Sequence, residues 1–214
     1  MRKLALLSLA CVVAASTAAV AVEHVVGGGT PNSNNTFPFW GLYSAFRWQT
    51  MWFQSELGEA GDITKIEWNT WSSTSGGTFS NCDILLCHTN ISAITSNFAN
   101  NYGGNTPVTV FTGTYVLSGY PANTWVTIVE PTNFTYNNTN NLLIEVSWQG
   151  GSGSTNSMWV RTSGSNFPGR VWNTSSKTAT TGSVQASYHH YGRITIGYVG
   201  VSPTSLGRVK SLYR

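Results

Sequence analysis

Charge is what this chain has least of. It carries 8 acidic and 11 basic residues in 214. The basic excess sits at the two ends, in Arg2 and Lys3 and in Arg208, Lys210 and Arg214, and between them the charges nearly cancel. No basic stripe is left to neutralise phosphates, so nucleic acid is not an expected partner. Cysteine is as scarce: Cys11, Cys82 and Cys87. In "NCDILLCHT", Cys82 and Cys87 on a strand stand about 16 Å apart on opposite faces, beyond the roughly 7 Å span of a disulfide. Zinc is disfavoured as well, because His88 has no second ligand pair near it. Two lone thiols are expected, with an intermolecular bridge open in an oxidising compartment. Helical periodicity is nearly absent, and so is an apolar run of membrane-spanning length.

Scarcity also limits catalysis. Aspartate occurs only at Asp62 and Asp83, and histidine only at His24, His88, His189 and His190. The stretch "VVGGGTP" (Val25–Pro31) has the letters of an activated trypsin-like N-terminus. No Gly-Asp-Ser-Gly loop and no Ala-Ala-His-Cys context accompany it, so the similarity is coincidental. Nor does a strand-to-helix Gly-x-Ser-x-Gly elbow occur. Glycoside hydrolysis needs two facing carboxylates. Glu67 and Glu145 alternate outward from strands as solvated charges. Glu56, Glu59 and Asp62 cluster in "SELGEAGD", a turn whose carboxylates cap backbone N–H groups. His189 and His190 are adjacent on a strand, point opposite ways and do not chelate one ion. No Asp-rich calcium loop is present, although a single calcium at Asp62 stays open. The expectation is a protein with no catalytic residue, no metal and no cofactor.

What is present begins with an export signal. Arg2 and Lys3, the apolar "LALLSLACVVAA" and the small "AVA" (Ala19–Ala21) have the three-part layout of a secretory signal peptide, 1–21. The product is expected outside the cell or on its surface. Residues 22–36 form a polar, glycine-rich lead-in in which "VEHVV" can act as an edge strand. Residues 37–201 carry recurrent period-two alternation. In "TKIEW", Ile66 and Trp68 share one face; in "LLIEVSW", Leu142, Ile144, Val146 and Trp148 do; in "RITIGYV", Ile194, Ile196 and Tyr198 do. Further strands are expected at "WQTMWFQ", "CDILLCH", "VTVFTGTYVL", "WVTIVE", "SMWVRT" and "SVQASYHH". Clusters such as "SSTSGGT", "NNYGGNTP" and "SGYPANT" punctuate them. The pattern predicts one all-β domain, an antiparallel β-sandwich of jelly-roll-like form. The basic tail, 202–214, reads as a frayed solvated end, with a docking or sorting element as the other reading.

Tryptophan is abundant, with 9 residues. Trp68 and Trp148 alternate with aliphatic neighbours and are expected in the core. Trp159 shares a face with Arg161 and is expected to be exposed. Trp71 and Trp125 lie near strand ends. Exposed tryptophan is costly for solubility unless it meets a sugar ring, another subunit or a partner surface.

The segments "VVGGGT", "FPFWGLYSAFRWQTMWFQSELGEAGDITKIEW", "CDILLCHT", "FTGTYVLS" and "WVTIVEPTNFTYNNTNNLLIEV" together resemble a β-sandwich module of secreted and cell-surface bacterial proteins. That module is frequent in cargo of the type IX secretion system. The matching positions include Ser55, Glu56, Leu57, Gly58, Gly61, Ile63, Thr64, His88, Thr89, Tyr136 and Asn141 to Val146. Cys87 and Asn138 stand where the module usually has glycine. The resemblance implies a jelly-roll-like sandwich outside the cell, without catalytic residues.

The function expected from all this is association: an exported, self-assembling surface or filament subunit whose partners are copies of itself. Low charge weakens repulsion between copies, and sheet edges invite strand addition. The donated segment would be Val22, Val25, Val26, Gly27, Gly28 and Gly29. The alternative is a carbohydrate-binding module or lectin-like adhesin that meets surface glycans through Trp71, Trp125 and Trp159.

Overall fold

The structure, a computed structural model, describes residues 21–27, 29–153, 156–162 and 167–197. The signal peptide up to residue 20, Gly28, Tyr198 and the tail lie outside the described residues. Strands β1 (Ala21–Val26) and β2 (Ser33–Asn35) come from the lead-in. β3 (Ala45–Trp52) leads into the one-turn helix α1 (Gln54–Leu57), followed by β4 (Gly61–Asn69) and β5 (Gly77–Thr89). A 3-10 turn at Asn100–Tyr102 precedes β6 (Val108–Leu117), β7 (Trp125–Val129) and β8 (Thr135–Tyr136). β9 (Asn141–Gln149), β10 (Gly151–Gly153) and β11 (Met158–Arg161) follow. β12 (Arg170–Asn173), β13 (Ser183–Gln185), β14 (His189–His190) and β15 (Gly192–Gly197) complete the described fold.

These strands form an all-β, antiparallel sandwich. One sheet runs β1-β15-β4-β7 with β8 beside β4, and the other runs β10-β5-β9-β3-β12-β13 with β6 beside β5. A small third sheet, β14-β11-β2, closes one end. The alternating residues fill the space between the two large sheets. Ile66, Trp68, Ile194 and Ile196 from one side meet Trp48, Trp52, Leu142, Ile144, Val146 and Trp148 from the other, all essentially inaccessible. At about 25 cal/mol per Å² of apolar surface, burying this many large side chains is the dominant stabilising contribution. Turn and bulge chemistry agrees: Asn123 and Asn138 in turns and Asn81 at a bulge in β5 adopt left-handed φ of 56°, 53° and 47°, a conformation that Asn tolerates better than most residues. No helix among the described residues is long and apolar enough to cross a membrane.

A second, smaller cluster lies on the outer face of the seven-stranded sheet. Met51, Cys87, Leu143 and Val171 point away from the main core and are covered by Ile94 and Phe98 from the segment before the 3-10 turn. Cys82 belongs to the main core and Cys87 to this cluster, so the two free, buried thiols are on opposite faces of β5.

The cover corrects one sequence expectation. Glu145 does point outward from β9, but it is only 3 % exposed. Arg47 grips it through Nε and Nη2 at 2.9 and 3.1 Å, and Gln49 and the Tyr102 hydroxyl each donate to Oε2 at 2.6 Å. Arg47 also stacks over the Phe98 ring at 4.6 Å. Glu67 is likewise buried, at 5 %, with Arg193 Nε at 2.7 Å and Lys65 Nζ at 3.3 Å. Neither is a solvated charge, because each is covered by residues distant in the chain.

Candidate functional site

The three nominated tryptophans come together. β4 ends at Asn69, and the next residues are tied to two remote segments: Thr70 N–H donates to the Thr124 carbonyl at 3.0 Å and Trp71 N–H to the Ser157 carbonyl at 3.0 Å. These bonds bring β11 and the 121–124 loop alongside Trp71. The Trp71 and Trp159 rings then meet edge to face, with centroids 4.1 Å apart at 71°. Trp159 Nε1–H donates to Asn123 Oδ1 at 3.1 Å. Tyr191 N–H donates to the Trp159 carbonyl at 3.2 Å, and its ring packs on Trp125 with centroids 5.3 Å apart. The Arg193 guanidinium lies 4.9 Å over the Trp125 ring, a cation–π contact. The result is two aromatic pairs, Trp71–Trp159 and Trp125–Tyr191, joined by the Tyr191–Trp159 backbone bond beside β4 and β15.

Exposure differs from expectation within these pairs. Trp71 is 39 % exposed. Trp159 is half-buried by Trp71, and Trp125 is half-buried by Tyr191 and Arg193. The strand pattern placed Trp159 outward correctly but could not reveal that another tryptophan would cover it. Sequence reasoning missed Asn123, Tyr191 and Arg193. The last two had a readable signal: in "YGRITIG" they alternate against Ile194 and Ile196 and share the outer face.

The lead-in is built into the fold. β1 pairs antiparallel with β15 from Ala21↔Gly197 to Val26↔Gly192, forming one edge of the five-stranded sheet. Val26 is buried, whereas Val25 is 57 % exposed. Contacts from β1 and Gly27 reach three other elements. His24 Nε2 lies 3.3 Å from Glu59 Oε1, Glu23 pairs with Arg193 at 3.2 Å, and Gly27 N–H donates to Glu56 Oε1 at 3.1 Å. A Cβ on Gly27 would stand 2.6 Å from the His190 carbonyl oxygen. Only glycine permits this approach, at a φ of 109°. Glu56 also accepts from the Phe53 N–H at 3.0 Å, as the turn reading anticipated, and its Oε2 lies 3.2 Å from His189 Nε2. Burial pushes the Glu56 pKa up, but His189 and the two N–H donors outweigh it and hold the carboxyl below its ordinary value.

Elsewhere, burial dominates the pKa shifts of His190, Arg170, Cys82 and Cys87. His190 is fully buried, edge-on to Trp48 at 4.8 Å and tilted against Trp68 at 5.7 Å. Burial, then the charges of Arg170 and His189, hold its pKa well below the ordinary value, so it is neutral. Arg170 is also buried, among Tyr188 at 4.0 Å, Phe37 at 4.9 Å and Trp172 at 5.2 Å, with Gln185 Oε1 2.6 Å from Nη2. Desolvation pulls its pKa down to about 9. Desolvation pushes the Cys82 thiol up to about 12 and the Cys87 thiol up to about 11, so both are protonated at neutral pH. Among the described residues no group of three His, Cys, Asp or Glu side chains is placed to hold a metal.

No protein-family model matches the chain, and no curated protein or solved structure shows detectable similarity to it.

Proposed function

We propose that this is a non-catalytic exported protein that acts by association, as a self-assembling subunit of an extracellular surface or filament. The observation that carries the reading is the placement of β1. It is a six-residue edge strand joined to the rest through Gly27, Gly28 and Gly29. Every contact it makes with β15, Glu56 and Glu59 can be remade on a neighbouring copy. Exchange between copies therefore conserves the contacts: closed exchange gives a dimer, open-ended exchange a filament. The aromatic pairs of Trp71, Trp125 and Trp159 offer a lateral contact. The resemblance to sandwich modules of type IX secretion cargo supports the same placement outside the cell.

A disulfide lock tests this. Glu23 and Thr195 are register partners, so Glu23→Cys/Thr195→Cys ties β1 to its own chain. Electron microscopy and sedimentation should find assemblies for the secreted protein, monomers for the oxidised variant, and assemblies again on reduction. An unlocked protein that stays monomeric at high concentration, or assemblies indifferent to the lock, would sink the proposal.

The second reading is carbohydrate binding, favoured by one observation: the nominated tryptophans converge, with the Asn123 amide beside them. Indole faces suit the apolar faces of sugar rings, and an amide suits their hydroxyls. Glycan-array binding by the secreted protein, lost in Trp71→Ala and Trp159→Ala, would place this reading first.

A further inference from the structure

The seven-stranded sheet has an open edge. β6 bonds to β5 along one side and to no other strand among the described residues. Its ten residues, VTVFTGTYVL, include no charge and no proline, the devices with which monomeric β-proteins blunt an edge. Register shifts occur on its β5 side, but at the first the extra residue belongs to β5, where Ser80 and Asn81 together face Thr114. At the second the extra residue is Val110 of β6, and beside it Asn133 Nδ2 caps the Thr109 carbonyl at 3.2 Å. The uncapped edge therefore begins at Phe111.

Three features of this edge point to its occupant. About Gly113 the strand reads alike in both directions: Thr112 mirrors Thr114, Phe111 mirrors Tyr115, and Val110 mirrors Val116. Gly113 takes a φ of 137° beside the β5 register shift, a conformation that suits glycine. A Cβ there would meet nothing within 4 Å, so the backbone is open to a second strand at this point. Val116, at 66 % exposed, is among the most exposed large apolar side chains of the described fold. We infer that β6 pairs antiparallel with β6 of a second copy, across a two-fold axis at Gly113.

Such an isologous contact needs a self-complementary strand, which this one is. Within the uncapped stretch it sets Thr opposite Thr and Phe opposite Tyr, pairs that stabilise antiparallel ladders. Its nearest acid is already engaged: Asp83 accepts from Thr112 Oγ1 at 2.7 Å and pairs with Lys177 at 2.7 Å. No uncompensated like charges then face each other across the axis. The inference rests on reading the chain as an associating subunit, but it names an edge other than β1.

Sedimentation and cysteine pairing test it on the secreted protein. Thr114→Lys and Val116→Lys replace exposed side chains, and their melting curves should stay close to that of the parent. Each should weaken dimerisation at least tenfold by putting lysines across the axis. Chains carrying Thr112→Cys mixed with chains carrying Thr114→Cys should form an intermolecular disulfide that neither forms alone. A monomeric parent overturns the inference, as do dimers indifferent to both lysines or a mixture that does not cross-link. If the Glu23→Cys/Thr195→Cys lock abolishes all association while the lysines do nothing, strand exchange stands and the β6 contact falls. If the lysines and cross-links behave as stated in the locked protein, the β6 contact stands without exchange.

Discussion

Glu145 and Glu67 occupy matching places on the two outer faces of the sandwich, and the molecule treats them differently. Each follows an inward isoleucine, Ile144 or Ile66, and points away from the core. Over Glu145 the chain lays the 94–102 segment, whose Phe98 and Tyr102 seal an Arg47–Glu145–Gln49 network. Over Glu67, among the described residues, lie Arg193 from the neighbouring strand β15 and Lys65 from β4 itself. The covered face is a second small core with a polar floor. On the other face Arg193 stacks on Trp125, beside the tryptophans on which the proposed contacts rest. A carboxylate on a strand is thus structural or superficial according to what folds over it.

The comparison can be broken most directly by removing each charge. Glu145→Gln strips the half-buried Arg47 of its bidentate partner beneath the 94–102 segment and should cost about 2–4 kcal/mol. Glu67→Gln, whose partners can turn to water, should cost about 1–2 kcal/mol. Urea unfolding measures both, and equal costs would mean that the 94–102 cover does not matter.

An acid titration sharpens the contrast, because His190 and Glu67 belong to the five-stranded side and its closing sheet. Below about pH 6.5 the unfolded chain binds a proton at this imidazole and the folded chain does not, so acid favours unfolding. Stability should be complete above that value and fall by up to about 1.4 kcal/mol per pH unit beneath it. His190→Leu should flatten that slope. Glu56 and Glu67, held below the ordinary carboxylate value against the upward pull of burial, add their loss only at lower pH, as the medium passes through their folded pKa values. A melting temperature unchanged from pH 7 to 5 would contradict the placement of His190.

The smallest stability effect is expected at the Trp71–Trp159 pair. Trp71→Ala removes a half-exposed ring and one edge-to-face contact, worth about 0.5–1 kcal/mol. Thermal unfolding should barely register it, whereas lateral association or glycan binding should fall sharply. A large loss of stability with binding intact would make Trp71 a packing residue.

Much of the fold was legible in the sequence because strand alternation is a local property. "LLIEVSW" and "TKIEW" announce which side chains enter the core, and "VTVFTGTYVL" coincides with β6 to the residue. The export signal and the tail lie outside the described residues. The site was legible only as a set of tryptophans. Their meeting depends on the Thr70–Thr124 and Trp71–Ser157 bonds, which join segments more than fifty residues apart, and no local pattern encodes that.

By itself, then, the sequence determined the all-β class and the inward face of the long alternating strands, since period and turn chemistry act over a few residues. Only the tertiary structure decided that Glu145 and Glu67 are buried, that β1 closes onto β15, that among the described residues β6 pairs on one side alone, and that Trp71 meets Trp159. Those outcomes depend on which distant segments cover one another, and that is fixed by packing of the whole chain.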